Sequence, residues 1–290
     1  MDDKPRKVRE VITPEAVIEG AGVKLKRSIA TQTLNYLDPF LLFDHFGSDE
    51  PEDYLAGFPM HPHRGIETVT YMLAGKVDHK DSLGNAGTIG GGDVQWMTSG
   101  GGIMHEEMPK PVDGKMDGFQ LWVNLPAKLK MSRPKYQEIP FAAIPSVKRK
   151  DGVHIRIVAG KAEEVQGPVK EIAADPVYLD ITIPPKGTFT HAMEKGHAAF
   201  AYVFQGSGVF GITEEDEGKI VDRPQLIVLD DGDLLEGRAS EQGVRFLLIS
   251  GKPLHEPIAR HGPFVMNTEE EIRQALVDLR NGTFVWKAPG

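Results

Sequence analysis

Apolar residues along this chain come in short runs, not long stripes. Thr68–Leu73, Phe119–Leu125, Val153–Val158, Val177–Ile183, Phe200–Phe204, Leu226–Leu229 and Val244–Ile249 each span four to seven residues, most of them rich in Val, Ile, Tyr or Phe. Thirty-two glycines and 21 prolines punctuate them. Short β-prone runs between turn signals predict an all-β sandwich or barrel. The pattern changes only near the C-terminus. Thr268 precedes Glu271 at a capping-box spacing, and Ile272, Ala275, Leu276 and Leu279 recur at i, i+3, i+4 and i+7. That predicts one helix with an apolar stripe, stopped by Asn281-Gly282.

The β-pattern divides into two halves. Pro134, Pro140 and Pro145 stand among basic residues between Arg133 and Lys150, which reads as a linker over 134–150 between domains at 1–133 and 151–290. Tyr71-Met72-Leu73-Ala74-Gly75 matches Tyr202-Val203-Phe204-Gln205-Gly206, and Gly92-Asp93-Val94 matches Gly232-Asp233-Leu234. The halves read as a diverged repeat.

Composition narrows the chemistry. The 290 residues carry a net charge of −9, which disfavours a protein that grips nucleic-acid phosphates directly. Cysteine is absent, so a metal must rely on imidazole and carboxylate. The charged start Met1-Asp2-Asp3-Lys4 has no apolar core of a secretory signal, and no apolar run is long enough for a bilayer. A soluble, cytoplasmic protein is the expectation. The glycine clusters Gly90-Gly91-Gly92 and Gly100-Gly101-Gly102 lack the Lys-Ser/Thr of a P-loop and open no helix.

Histidines carry the strongest signal. Met60-His61-Pro62-His63-Arg64-Gly65 and Met104-His105-Glu106-Glu107-Met108-Pro109 each place two potential ligands at i and i+2, on one face of a strand. If the strands are close, three imidazoles and a carboxylate converge. Glu67 competes with Glu107 as the carboxylate, since on an unbroken strand it shares a face with His63. Glu106 should face away as a solvated charge, and His79, among Asp78, Lys80 and Asp81, reads as a solvated loop residue. Met60 and Met104 are candidate pocket residues; Met72 and Met97 are candidate core.

His61-Pro62-His63-Arg64-Gly65, Gly92 to Thr98, His105 to Pro109 and His261 to Thr268 together resemble the pirin family of bicupins, over about Tyr36 to Arg280. The resemblance implies two cupin (jelly-roll) barrels packed face to face. It also implies one Fe(II), or another divalent transition metal, in the N-terminal barrel within a largely closed pocket. By motif the ligands are His61, His63, His105 and Glu107, with Glu107 also the catalytic base. The implied activity is dioxygenation of flavonols such as quercetin. The implied alternative is an iron-dependent regulator that binds transcription factors or metabolic enzymes, with no direct nucleic-acid or membrane contact. Aligned on the repeat, Ala192, Glu194, Arg245 and Leu247 stand at the four ligand positions of the second half, which is expected to hold no metal.

Overall fold

The computed structural model describes residues 4–287, and nearly all of its regular structure is β-strand. Two compact units share the chain. One joins Glu15–Phe141 to the segment from Leu254 onwards; the other joins the N-terminal segment up to Pro14 to Ala142–Pro253. The segment after Leu254 and the first strand have thus changed places relative to a simple division into halves. Part of the expected linker is also barrel: Lys135–Ile139 is a strand paired with Val94–Thr98.

The unit containing Glu15–Phe141 is a two-sheet jelly roll. Seven strands form one sheet, with Ile66–Ala74 between Val94–Thr98 and Met116–Asn124; the second sheet runs Phe58–His63, Ile103–Lys110, Lys76–Asp81, Ala86–Gly90. Side chains on a strand alternate between faces. In Ile103–Lys110 this buries Ile103, His105, Glu107 and Pro109 and leaves Met104, Glu106 and Met108 only partly covered. The parity that normally hides apolar residues here carries an imidazole and a carboxylate inward. Met72 and Met97 are fully buried, as core methionines should be.

The segment after Leu254 closes this unit. Its hairpin, Ala259–His261 with Phe264–Met266, is followed by the helix Glu269–Asn281. The capping box forms: Glu271 N donates to Thr268 Oγ1 at 3.2 Å, and Thr268 N donates to Glu271 Oε2 at 2.9 Å. Gly282 ends the helix in the left-handed conformation. Ile272 and Ala275 are buried, but Leu279 stays 37% exposed, so the stripe is shorter than its periodicity predicts.

Two buried cations tie this segment to the strands. Arg64 donates to Asp278 Oδ2 at 2.7 Å and to the Phe284 carbonyl at 3.0 Å, and lies 4.4 Å from the Phe284 ring centre. Lys130 Nζ donates to Gly65 O, Asn124 Oδ1 and Val265 O at 2.7–2.9 Å. Burial pulls the Lys130 pKa down to about 8, but three acceptors match the three N–H bonds of the ammonium, which persists at neutral pH. Gly65 has φ +82°, and a Cβ there would stand 2.0 Å from the Val265 carbonyl oxygen. Only glycine permits both the turn and the approach.

A chain ending at residue 150 lacks every C-terminal partner of Arg64 and Lys130. It is expected to be insoluble or molten. A chain joining residues 15–141 to 254–290 through a short linker should be markedly more soluble and cooperative. Urea unfolding of both checks this; equal behaviour would show that the segment after Leu254 is dispensable.

The second unit is built on a nine-stranded sheet, with Val8–Ile12 paired to Gln225–Leu229. Arg6, fully buried, donates to the carbonyls of Gly232, His197, Asp230 and Glu194 and so fixes the N-terminal segment. Its interior is apolar, including Ile155, Leu179, Phe210 and Phe246. Among the described residues no helix is long and apolar enough to cross a membrane.

Candidate metal centre

The strands Phe58–His63 and Ile103–Lys110 are antiparallel neighbours, with His105 opposite His61 and Ile103 opposite His63. Tertiary pairing therefore brings the two sequence clusters onto one face. Between His105 and Glu107 the partner register moves from His61 to Phe58, so Pro59 and Met60 fill the place of one residue. Proline cannot donate to the ladder, and a bulge is where a strand tolerates it. This bulge leaves Glu107 opposite Phe58, away from the histidine pair.

Three imidazoles result. Ring centres lie 4.3 Å apart for His61–His105, 4.9 Å for His61–His63 and 5.0 Å for His63–His105. One ligand atom from each lies within 4.8 Å of the others. His61 Nδ1 donates to the Pro59 carbonyl at 3.0 Å, which leaves its Nε2 with a lone pair, 3.1 Å from His63 Nε2. Two nitrogens each about 2.1 Å from one ion, at a right angle, would stand about 3 Å apart. Both ring nitrogens of His105 are buried without a hydrogen-bond partner. The His63 ring lies beside the Pro263 carbonyl, yet its Nδ1 completes no hydrogen bond of normal geometry. Buried polar atoms left this way are costly unless something else binds them. Burial, then the neighbouring imidazoles, hold the pKa of His63 and of His105 well below the ordinary histidine value. Both are therefore neutral at pH 7, the form a cation requires. The three histidines fit a transition-metal ion.

Glu107 is buried but is not a member of that group. Thr70 Oγ1 donates to its Oε1 at 3.2 Å, and Gln120 Nε2 donates to its Oε2 at 3.2 Å. Above His61 and His63 opens a cleft of about 440 Å³, walled by Phe58, Trp122 and Pro263 and reaching solvent beside exposed Arg260. Trp122 meets His63 edge-on at 5.1 Å, and the Arg260 guanidinium lies 5.2 Å from the Trp122 ring centre. Arg27 grips Asp44 with two hydrogen bonds of 2.7–2.8 Å and Glu19 with a third of 2.7 Å.

The comparisons with known proteins agree with this geometry. Residues 22–123 match the Pirin family, and 178–285 match the Pirin C-terminal cupin domain. A Pseudomonas aeruginosa protein provisionally named a quercetin 2,3-dioxygenase is 45% identical over 96% of this chain and 97% of its own length. This chain belongs to the pirin family. Human Pirin is 41% identical over 91% of this chain and 88% of its own length. A crystal structure of Acinetobacter baumannii quercetin 2,3-dioxygenase superimposes with TM-score 0.87 at 33% identity, covering 97% of this chain and 99% of that one. Both barrels of this pirin-family chain are cupins.

Several sequence expectations change. His79 is no solvated loop residue: it lies on Lys76–Asp81 opposite Glu107, buried, 2.6 Å from Glu138 and stacked on Tyr136. Its parity with buried Val77 was the available signal. Glu67 does not continue the His63 strand, because Gly65 breaks it; its carboxylate accepts from Thr98 Oγ1 at 2.9 Å. Glu106 faces away as expected, where it pairs with Lys80 at 2.8 Å. Met104 packs on the C-terminal cluster and Met60 is exposed, so neither lines the cleft. Arg27, Asp44, Gln120, Trp122 and Arg260 gave no local motif.

The aligned positions of the second pirin barrel differ in burial: Leu247 is fully buried, Arg245 is partly covered, and Ala192 and Glu194 are exposed. His191 is buried. Arg245 turns away from the interior to pair with Asp180 at 2.6–2.9 Å, and Val244, Phe246 and Leu248 face inward instead. The inward residues include one histidine, His191, stacked on Phe189.

Proposed function

We propose that this pirin-family chain is a metal-dependent dioxygenase that opens flavonols such as quercetin. His61, His63 and His105 hold Fe(II), and Glu107 serves as proton acceptor and, when released from its hydrogen bonds, as fourth ligand. The observation that carries this reading is His105, whose two buried ring nitrogens have no partners, beside His61 and His63, which line an aromatic-walled cleft. Its volume falls within the range of about 300–1,000 Å³ usual for small-molecule sites. The relatives named as quercetin dioxygenases support the substrate class.

A bound iron supplies Lewis acidity toward a ligating hydroxyl and redox chemistry toward dioxygen. The protein supplies the rest. Phe58, Pro263 and Trp122 receive a flat ring and exclude water from its faces. Gln120 and Thr70 hold the Glu107 carboxylate where it can take the hydroxyl proton. Dioxygen is the oxidant, and both its atoms enter the opened product.

Oxygen uptake by the iron-loaded protein with quercetin tests this. Turnover should fall at least 100-fold in Glu107→Gln, because an amide accepts no proton at neutral pH, and stay near wild type in Glu106→Gln. Full iron loading without oxygen uptake would leave the regulator as the standing reading. Equal losses in the two variants would show that strand parity does not separate the carboxylates.

A further inference from the structure

Two arginines line the cleft, and they differ in what holds them. Arg27 commits Nε and Nη2 to Asp44 and Nη1 to Glu19. Arg260 donates from Nη1 to the Leu41 carbonyl at 3.1 Å and from Nε to the Gly262 carbonyl at 3.4 Å. Among the described residues its Nη2 donates to nothing, and no carboxylate pairs with it. Asp44 and Glu19 lie near enough to act on its charge, but Arg27 holds both. The place of Arg260 is fixed. It lies on Ala259–His261 opposite Val265, whose carbonyl accepts from Lys130 at 2.7 Å. Its neighbour Ala259 is buried in the C-terminal cluster, so by strand alternation Arg260 projects the other way, to the cleft. There the guanidinium lies 5.2 Å from the Trp122 ring centre, and Trp122 meets His63 edge-on at 5.1 Å. Trp122 alone separates the histidines from this cation, a span that a flat molecule of two or three rings covers.

We propose that Arg260 is a specificity-determining residue: it binds an anionic oxygen on the far ring of an aromatic substrate whose near ring reaches the three histidines. The inference rests on reading this cleft as the substrate site, and deepens that reading by naming the substrate class as aromatic acids. The chemistry follows from the guanidinium. It is always charged, and its unused N–H groups give charge-assisted hydrogen bonds to a carboxylate, a sulfonate or an ionised phenol. The cation–π contact with Trp122 steadies it without using those donors. Asp44 and Glu19 disfavour an anion elsewhere in the cleft, so contact with Arg260 also sets which end of the substrate points to the metal centre.

The test uses full-length protein loaded with Zn(II), which has no redox chemistry and leaves the ligand intact. Calorimetric titrations compare quercetin with quercetin-5′-sulfonate, whose added group is ionised throughout the working pH range. Wild type should bind the sulfonate about tenfold more tightly than quercetin, the size of one hydrogen bond to a charged group. Added salt should shrink that ratio, because the contact opens to solvent. Arg260→Gln keeps a donor for the Leu41 carbonyl and removes the charge; it should bring the ratio close to one. Arg260→Met should do the same, and carries the test if Arg260→Gln does not fold. Equal binding of the two ligands by wild type, or a preference that persists without the arginine, overturns the proposal. Failure of both ligands to bind overturns it together with the reading of the cleft as a substrate site. Oxygen uptake by iron-loaded protein tells the two readings apart. A preference that depends on Arg260 without turnover of either ligand removes the dioxygenase and leaves the anion contact standing. Turnover without the preference removes the anion contact alone.

Discussion

Replacing His105 by leucine is expected to abolish metal binding and to leave the metal-free protein at least as stable as wild type. The triad would lose one of three imidazoles, and affinity should drop by more than the roughly 10–100-fold typical of losing an outer partner. The stability half follows from burial. His105 is 1% exposed and neither ring nitrogen has a partner. Each such atom costs about 1–3 kcal/mol that a leucine of similar bulk would not incur. Thermal unfolding in chelator, with metal titration of the same samples, measures both. A metal-free variant less stable than wild type by more than about 2 kcal/mol would mean that the histidine is satisfied in the apo-protein, which removes the main support for the metal centre.

The second large effect is acid sensitivity of the metal-free protein. Burial, reinforced by Arg149, lowers the His191 pKa from 6.5 to about 4. His63 and His105 are lowered well below 6.5 by burial and by neighbouring imidazoles. In the unfolded chain all three take up a proton near pH 6.5; in the folded chain they do so only at lower pH. Below pH 6.5 the unfolded state therefore binds more protons, and stability falls as pH falls. His191 alone should account for about 3 kcal/mol once pH reaches its folded pKa. Urea unfolding in chelator should show the decline beginning between pH 6.5 and 5, above the range where most carboxylates titrate. His191→Gln should remove its share, and saturating metal should move the decline of the triad-bearing unit to lower pH, because bound histidines cannot protonate. Stability that is flat or rises toward pH 5 would contradict the burial of these neutral imidazoles.

Local chemistry made much of this protein legible from sequence. Short apolar runs between turn residues gave the strands, because side-chain alternation is a property of each strand alone. The helix over Glu269–Asn281 was readable from Thr268, Glu271 and Gly282, whose hydrogen bonds are confined to a few residues. His61 with His63, and His105 with Glu107, were readable as i, i+2 pairs for the same reason. Adjacency was not. Only the tertiary structure sets His105 opposite His61 and Glu107 opposite Phe58, across the bulge at Pro59-Met60. Burial of His79 depends on the strand it pairs with, and the outward turn of Arg245 depends on Asp180, which lies on the neighbouring strand. The cleft is least local of all: Arg27, Gln120, Trp122 and Arg260 come from three separate stretches of chain, the last arriving after a whole intervening barrel. Periodicity reports which way a side chain points from its own strand; what it points at is fixed by pairings and contacts across tens of residues to more than a hundred, and these leave no pattern in the local sequence.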